Sequence, residues 1–323
     1  MNKSLLLIPL LLLLTACGPS EEARVEPPAA AAAAPESTPA AAEEALESSG
    51  FESRAESNTE RLARVLAAQP PEMRARYDAR QPQQTLEFFG IEPGMSVVEA
   101  LPGGGWYSRI LLAYLGREGR LIGANYALDM WPRFPFGTEE FMARMRQWPE
   151  QFPVQAAEWC STDCAGVDTF WLGSLPENLQ AQADVVLFVR ALHNLTRFNA
   201  EHGYLDAALA DAYAVLKPGG VFGVVQHEAP ADADDAWADG NAGYLKREFV
   251  IAQAEAAGFE FEAASEINAN PADQPTSADI VWRLAPSFRT TEPDSPEREA
   301  IAAIGESNRM TLKFRKPASD AAE

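Results

Sequence analysis

Three consecutive glycines, Gly103-Gly104-Gly105, stand between a short buried-strand pattern and an amphipathic helix pattern. Ser96-Val97-Val98-Glu99 precedes them. After them, Tyr107, Ile110, Leu111, Tyr114 and Leu115 recur on one helical face, and Gly116 and Gly119 close the segment. A strand that turns through glycine straight into a helix points to an α/β layout, because the helix must return over the sheet before a parallel neighbour can form. The alternation then continues. Strand patterns follow at Arg120 to Asn125, Val167 to Leu172, Asp184 to Val189 and Val221 to Gln226. The fourth is apolar enough throughout to lie centrally in a parallel sheet. Leu205, Leu209, Ala212 and Leu216 mark the next helix, and Lys217-Pro218-Gly219-Gly220 turns the chain into the fifth strand. Phe249 to Ala257 is a further helix, ended by Gly258.

The last two strand patterns have period two. Phe259, Phe261 and Ala263 alternate with Glu260 and Glu262, and Met310, Leu312 and Phe314 with Thr311, Lys313 and Arg315. Such strands pair antiparallel at a sheet edge, and their outward charges here are opposite in sign. The insert between them is too long for an idle loop. Ser295 as N-cap, Pro296 in the first turn and Gly305 beyond the end predict a short helix over Pro296 to Ile304. The expected fold is a Rossmann-like, doubly wound α/β sheet of about seven strands, mostly parallel with an antiparallel last strand.

Residues 1–16 read as an export signal. Lys3 is a short positive start, Leu5 to Leu14 are apolar, and Leu14-Thr15-Ala16-Cys17 resembles the bacterial lipobox, whose Cys is acylated and becomes the mature N-terminus. Acyl chains on Cys17 would anchor the protein at the membrane. Gly18 after the Cys favours the periplasmic face of the outer membrane in a Gram-negative envelope. Residues 17–60 form an Ala/Pro/Glu-rich linker. Between Glu21 and Glu60 there are ten Glu and two Arg with almost no large apolar side chain, a composition that cannot offset its ordering entropy. The folded domain is expected over 61–323.

The chain carries 26 Lys plus Arg against 47 Asp plus Glu, a net charge of −21, which argues against nucleic acid as a partner. With Cys17 lipidated, Cys160 and Cys164 remain, and in an exported chain that pair is expected to close a small disulfide.

The strand–glycine–helix unit, the Lys-Pro-Gly-Gly before strand five and the antiparallel last hairpin resemble the class I S-adenosylmethionine-dependent methyltransferases, over about residues 75–316. In Val97-Val98-Glu99-Ala100-Leu101-Pro102-Gly103-Gly104-Gly105-Trp106, Glu99 matches the acidic position of the family's first motif, and Gly103 and Gly105 match its second and third glycines. Leu101 stands where the first glycine belongs, and Asn125 where strand two usually ends in the acid that binds ribose. The late run Glu306-Ser307-Asn308-Arg309-Met310 and the His193-Asn194 after strand four look like a subgroup of bacterial methyltransferases. The resemblance implies S-adenosylmethionine as cofactor, held by Glu99, Pro102, Gly103, Gly104, Gly105, Trp106, Asn125, Arg190 and Asn194. In related folds the segment that holds Tyr77 and Arg80, ahead of strand one, covers the cofactor; the other reading of these residues is a solvated helix end.

Ligands in open α/β sheets sit at the carboxyl ends of the strands. His193 and His227 follow strands four and five there, so each is a candidate base for a methyl acceptor or a local hydrogen-bonding group. Arg190 is placed to pair with an acidic substrate or with Glu228. No tight His or paired-acid spacing marks a metal site. The expected function is methylation of a small molecule or envelope component. The alternative is a non-catalytic, methyltransferase-like ligand-binding lipoprotein.

Overall fold

The computed structural model describes residues 56–318, so the expected export signal, Cys17 and the expected linker up to residue 55 lie outside the described residues. Seven strands form one sheet: β1 Ser96–Ala100, β2 Arg120–Asn125, β3 Gly166–Trp171, β4 Ala183–Val189, β5 Leu216–His227, β6 Glu260–Ser265 and β7 Arg309–Arg315. Their spatial order is β3-β2-β1-β4-β5-β7-β6. The first five strands run parallel, while β7 runs antiparallel to both β5 and β6. This is the expected doubly wound α/β class with a reversed last strand.

The central strands are apolar throughout because each feeds two cores in turn. Val97, Leu121, Val185 and Leu187 face a core shared with Ile110, Leu111 and Tyr114 of the helix Trp106–Leu115. Val98, Ile122, Val186 and Phe188 face the opposite core, with Leu205, Leu209 and Ala212 of the helix Tyr204–Val215.

One expectation needs correction. The Lys-Pro-Gly-Gly segment is not a turn ahead of β5 but lies within it. Leu216 already pairs with Ala183, the ladder skips residues 217–220, and pairing resumes at Val221 with Val185. Pro218 has no N–H to give a ladder, which suits it to this irregularity. The last two strands do pair antiparallel at the sheet edge. β7 is slotted between β5 and β6, with Val224 opposite Leu312 and Phe261 opposite Phe314, and β6 forms the rim. The opposite charges do meet: Glu262 accepts from Lys313 at 2.8 Å and from Arg315 at 2.5 Å.

Ahead of β1, the helix Asn58–Ala67 opens on a capping box between Ser57 and Glu60 and buries Leu62, Val65 and Leu66. In the insert between β6 and β7, the helix Pro296–Ile304 starts at Ser295, whose hydroxyl accepts the Arg298 N–H at 3.1 Å. The insert is fastened by a buried pair, Arg283 to Asp273 at 2.7 Å, and by Tyr244, whose hydroxyl donates to Asp273 at 3.1 Å. Its short 3-10 turn Val281–Arg283 carries Trp282 to the carboxyl ends of β4 and β5.

Candidate functional site

The strand order reverses between β1 and β4, so the connections after these strands leave on opposite faces and open a crevice at their carboxyl ends. Leu101, the first residue after β1, has φ +54°, and Arg190, the first after β4, has φ +58°. Each donates its N–H to the neighbouring strand at 2.7 Å, Leu101 to the Ala124 carbonyl and Arg190 to the Val225 carbonyl. A side chain in the left-handed region costs about 1–2 kcal/mol. Leu101 thus takes a backbone conformation that glycine adopts without that cost.

The glycine loop itself divides into an open and a closed part. A Cβ on Gly104 would meet nothing within 4 Å. Gly105, with φ +76°, is pressed against Trp159, and a Cβ there would lie 2.1 Å from the indole. Its glycine is therefore required by packing within the protein, and only Gly103 and Gly104 present open backbone. The adjoining Cys160 and Cys164 are joined as a disulfide.

Glu99 is buried at the end of β1 and accepts from the Ser108 hydroxyl at 2.6 Å. Burial without a cationic partner pushes its carboxyl up to about 8. The Asn125 amide oxygen accepts the Tyr126 N–H at 2.9 Å, which leaves its amide N–H groups as the remaining donors. Tyr126 is fully buried and donates to the Ala191 carbonyl at 2.7 Å, and Asn194 donates to the Tyr126 hydroxyl at 3.4 Å. Trp106 lies under the Arg80 guanidinium, 4.6 Å from ring centre to charge, with Tyr77 edge-on at 6.0 Å.

The two histidines come together with ring centres 5.5 Å apart. Gln226 donates to His193 Nδ1 at 3.3 Å, which leaves the His193 proton on Nε2. His227 Nδ1 is 2.6 Å from the Ser307 hydroxyl. Burial lowers the His193 imidazole to about 4, and burial with His193 beside it holds His227 well below the usual range. Both rings are neutral at neutral pH. Arg190 does not pair with Glu228, because Glu228 is held by Arg247 at 2.7 Å.

Two cavities open at the crevice. The larger, about 560 Å³, is lined by Leu101, Tyr126 and Asn194 at the ends of β1, β2 and β4, with Trp131, Phe134 and Trp282. The smaller, about 130 Å³, is lined by Arg190, His227, Glu306 and Ser307 at the ends of β4, β5 and the start of β7, again with Trp282. His193 lines neither and sits behind His227. Sequence reasoning missed Tyr126, Trp131 and Trp282. It quoted Glu306, Ser307 and Arg309 within a run without giving them a role. The signal available was that run's mixture of opposite charges in a strand start, where a solvated strand needs neither.

No family model and no curated protein matches the sequence. Among solved structures the chain is similar to a chain of the complex between the Haloferax volcanii Trm112 methyltransferase activator and the putative methyltransferase. That match has 15% identity over 82% of this chain and 100% of that one, with TM-score 0.46. It is also similar to geranyl diphosphate methyltransferase in complex with SAM, at 13% identity over 79% and 90%, TM-score 0.46. A third is the [4+2]-cyclase SpnF, at 17% identity over 75% and 81%, TM-score 0.43. Likeness of this degree carries no argument about chemistry, which must come from the site.

Proposed function

We propose that the protein is an S-adenosylmethionine-dependent methyltransferase that acts on a small molecule or envelope component while anchored through Cys17 at the periplasmic face of the outer membrane. The observation that carries the reading is the 560 Å³ cavity at the ends of β1, β2 and β4, lined by Leu101, the first residue of the connection that continues into the glycine loop. Its size falls within the roughly 300–1,000 Å³ of small-molecule sites, and half of its lining residues are aromatic. The cofactor supplies an electrophilic methyl group when bound. Trp131 and Trp282 offer ring surface for a flat base, the Asn125 amide offers donors, and Gly103 and Gly104 let a ligand approach the main chain. His227 is the group placed to take a proton from an acceptor. In the tautomer that donates Nδ1–H to Ser307, its Nε2 is the free acceptor.

Calorimetric titration of the purified full chain with S-adenosylmethionine and S-adenosylhomocysteine tests the reading. One saturable site is expected, and absence of binding to either sinks it. His227→Ala should retain binding and lower turnover roughly 10²-fold or more. A second reading, a non-catalytic ligand-binding lipoprotein, is favoured by one observation: burial reduces the basicity of both imidazoles. Binding without turnover on any acceptor fraction of the envelope would select it.

A further inference from the structure

Positive charge accumulates beneath the smaller cavity of a chain whose net charge is −21. Arg76, Arg80 and Arg309 all converge on one carboxylate, Glu306. Arg80, Arg309 and Glu306 are only 5%, 2% and 7% exposed. Burial alone would raise Glu306, yet the three arginines outweigh it and hold the carboxyl below its usual range. Arg190 lies within electrostatic reach of Arg309, Glu306 and Arg76. It forms no ion pair among the described residues, and its Nε is buried without a hydrogen-bond partner.

Three guanidiniums therefore share one carboxylate, and a fourth, Arg190, lies near them without an acid of its own. Among the described residues the other nearby acids are engaged elsewhere: Glu228 is held by Arg247, Asp273 by Arg283, and Glu99 faces Ser108. His193 and His227 are neutral, so they neither add to the excess nor relieve it. Arg190 is partly exposed, but its Nε is buried without a partner, and an unpaired charge held out of water in this way is costly unless a counter-ion answers it. The orphaned guanidinium lines the 130 Å³ cavity together with His227 and Ser307.

We propose that this cavity takes the carboxylate of an anionic small-molecule acceptor, with Arg190 as its main partner. A guanidinium matches a carboxylate in a planar, two-bonded fork. With Glu306 already shared by Arg76, Arg80 and Arg309, Arg190 is the one guanidinium of the four left without an acid, and a singly charged carboxylate answers it one for one. Trp282 lines both cavities, so an acceptor held by its carboxylate here abuts the larger one. The word acceptor rests on the methyltransferase reading, whereas the anion site does not.

The test uses the full chain in detergent with acetate, acetamide and phosphate at matched ionic strength, with and without saturating S-adenosylhomocysteine. Acetate should raise the melting temperature saturably, both alone and with S-adenosylhomocysteine present, and acetamide should not. Arg190→Gln should weaken acetate at least tenfold. Arg190→Lys, which keeps the charge and loses the fork, should weaken it less, and circular dichroism checks that both variants fold. The proposal is overturned if acetate acts no differently from chloride, if Arg190→Gln binds it unchanged, or if phosphate binds more tightly. Competition between acetate and S-adenosylhomocysteine also overturns it, because the cavity would then hold the cofactor's own carboxylate. Saturable acetate binding in a chain that ignores S-adenosylhomocysteine would sink the methyltransferase reading and leave the anion site standing.

Discussion

Glu99 and His193 are buried close to the sheet's carboxyl edge, and burial acts on them in opposite directions. The Glu99 carboxyl rises from 4.5 to about 8. Between those values the folded chain keeps a proton that the unfolded chain has released, so stability falls as pH rises through the window. The full effect is on the order of 5 kcal/mol. Glu99→Gln can still accept from Ser108 and carries no charge, so its gain over the parent should be several kcal/mol larger at pH 8.5 than at pH 5. Urea titrations at the two pH values measure it, and an equal shift at both would refute the account. The His193 imidazole drops from 6.5 to about 4. There the unfolded chain takes up a proton that the folded chain refuses, so stability falls as pH drops from 6.5 toward 4, by about 3 kcal/mol at most. The two slopes oppose each other between pH 4.5 and 6.5, and above 6.5 only the Glu99 slope remains.

At the scale of elements, the glycine loop gives a matched pair of variants. Gly105→Ala places a Cβ against Trp159 at a left-handed φ and should cost at least about 2 kcal/mol whatever binds. Gly104→Ala enters open space and should change stability by less than about 0.5 kcal/mol. If a cofactor lies on the loop, the same variant should lose tenfold or more in affinity for S-adenosylhomocysteine. Unchanged affinity would remove the loop from the site. Six of the seven strands lie within two residues of their positions in the apolar pattern, because each is bounded by glycine, proline or charge and faces one or two cores. The start of β5 was not legible: its ladder bends around Pro218 only because Ala183 is there to pair with Leu216. The interior place of β7 was equally hidden. Period-two alternation reports that one face is apolar and the other polar, not whether a neighbour lies on each side; Thr311, on the polar face, is covered by Asn268 at 3.0 Å.

Across the whole molecule, legibility follows distance along the chain. The glycine loop and the two histidines sit beside the strands that place them, so the pattern that reveals the strands also reveals them. The arginine cluster joins Arg76 to Glu306, 230 residues apart, and only the folded sheet brings those ends together. Anchoring belongs to this scale too. The chain should pellet with membranes with an acylated Cys17 at its mature N-terminus, and Cys17→Ser should abolish that fraction. Mass spectrometry that finds Cys17 unmodified, or cleavage elsewhere, decides against it.

The interior position of β7 also orders events in time. A nascent chain emerges N-terminus first, so β5 and β6 exist before the strand that separates and joins them. Until that strand arrives, the β5 edge has no partner on that side, and Arg76 and Arg80 have not yet met Glu306. A chain cut short anywhere before Glu306 lacks both the sheet's keystone and the acid that gathers the arginines. Completion of synthesis and assembly of the anion pocket are therefore one event, and a truncated product has no partial version of the pocket to offer.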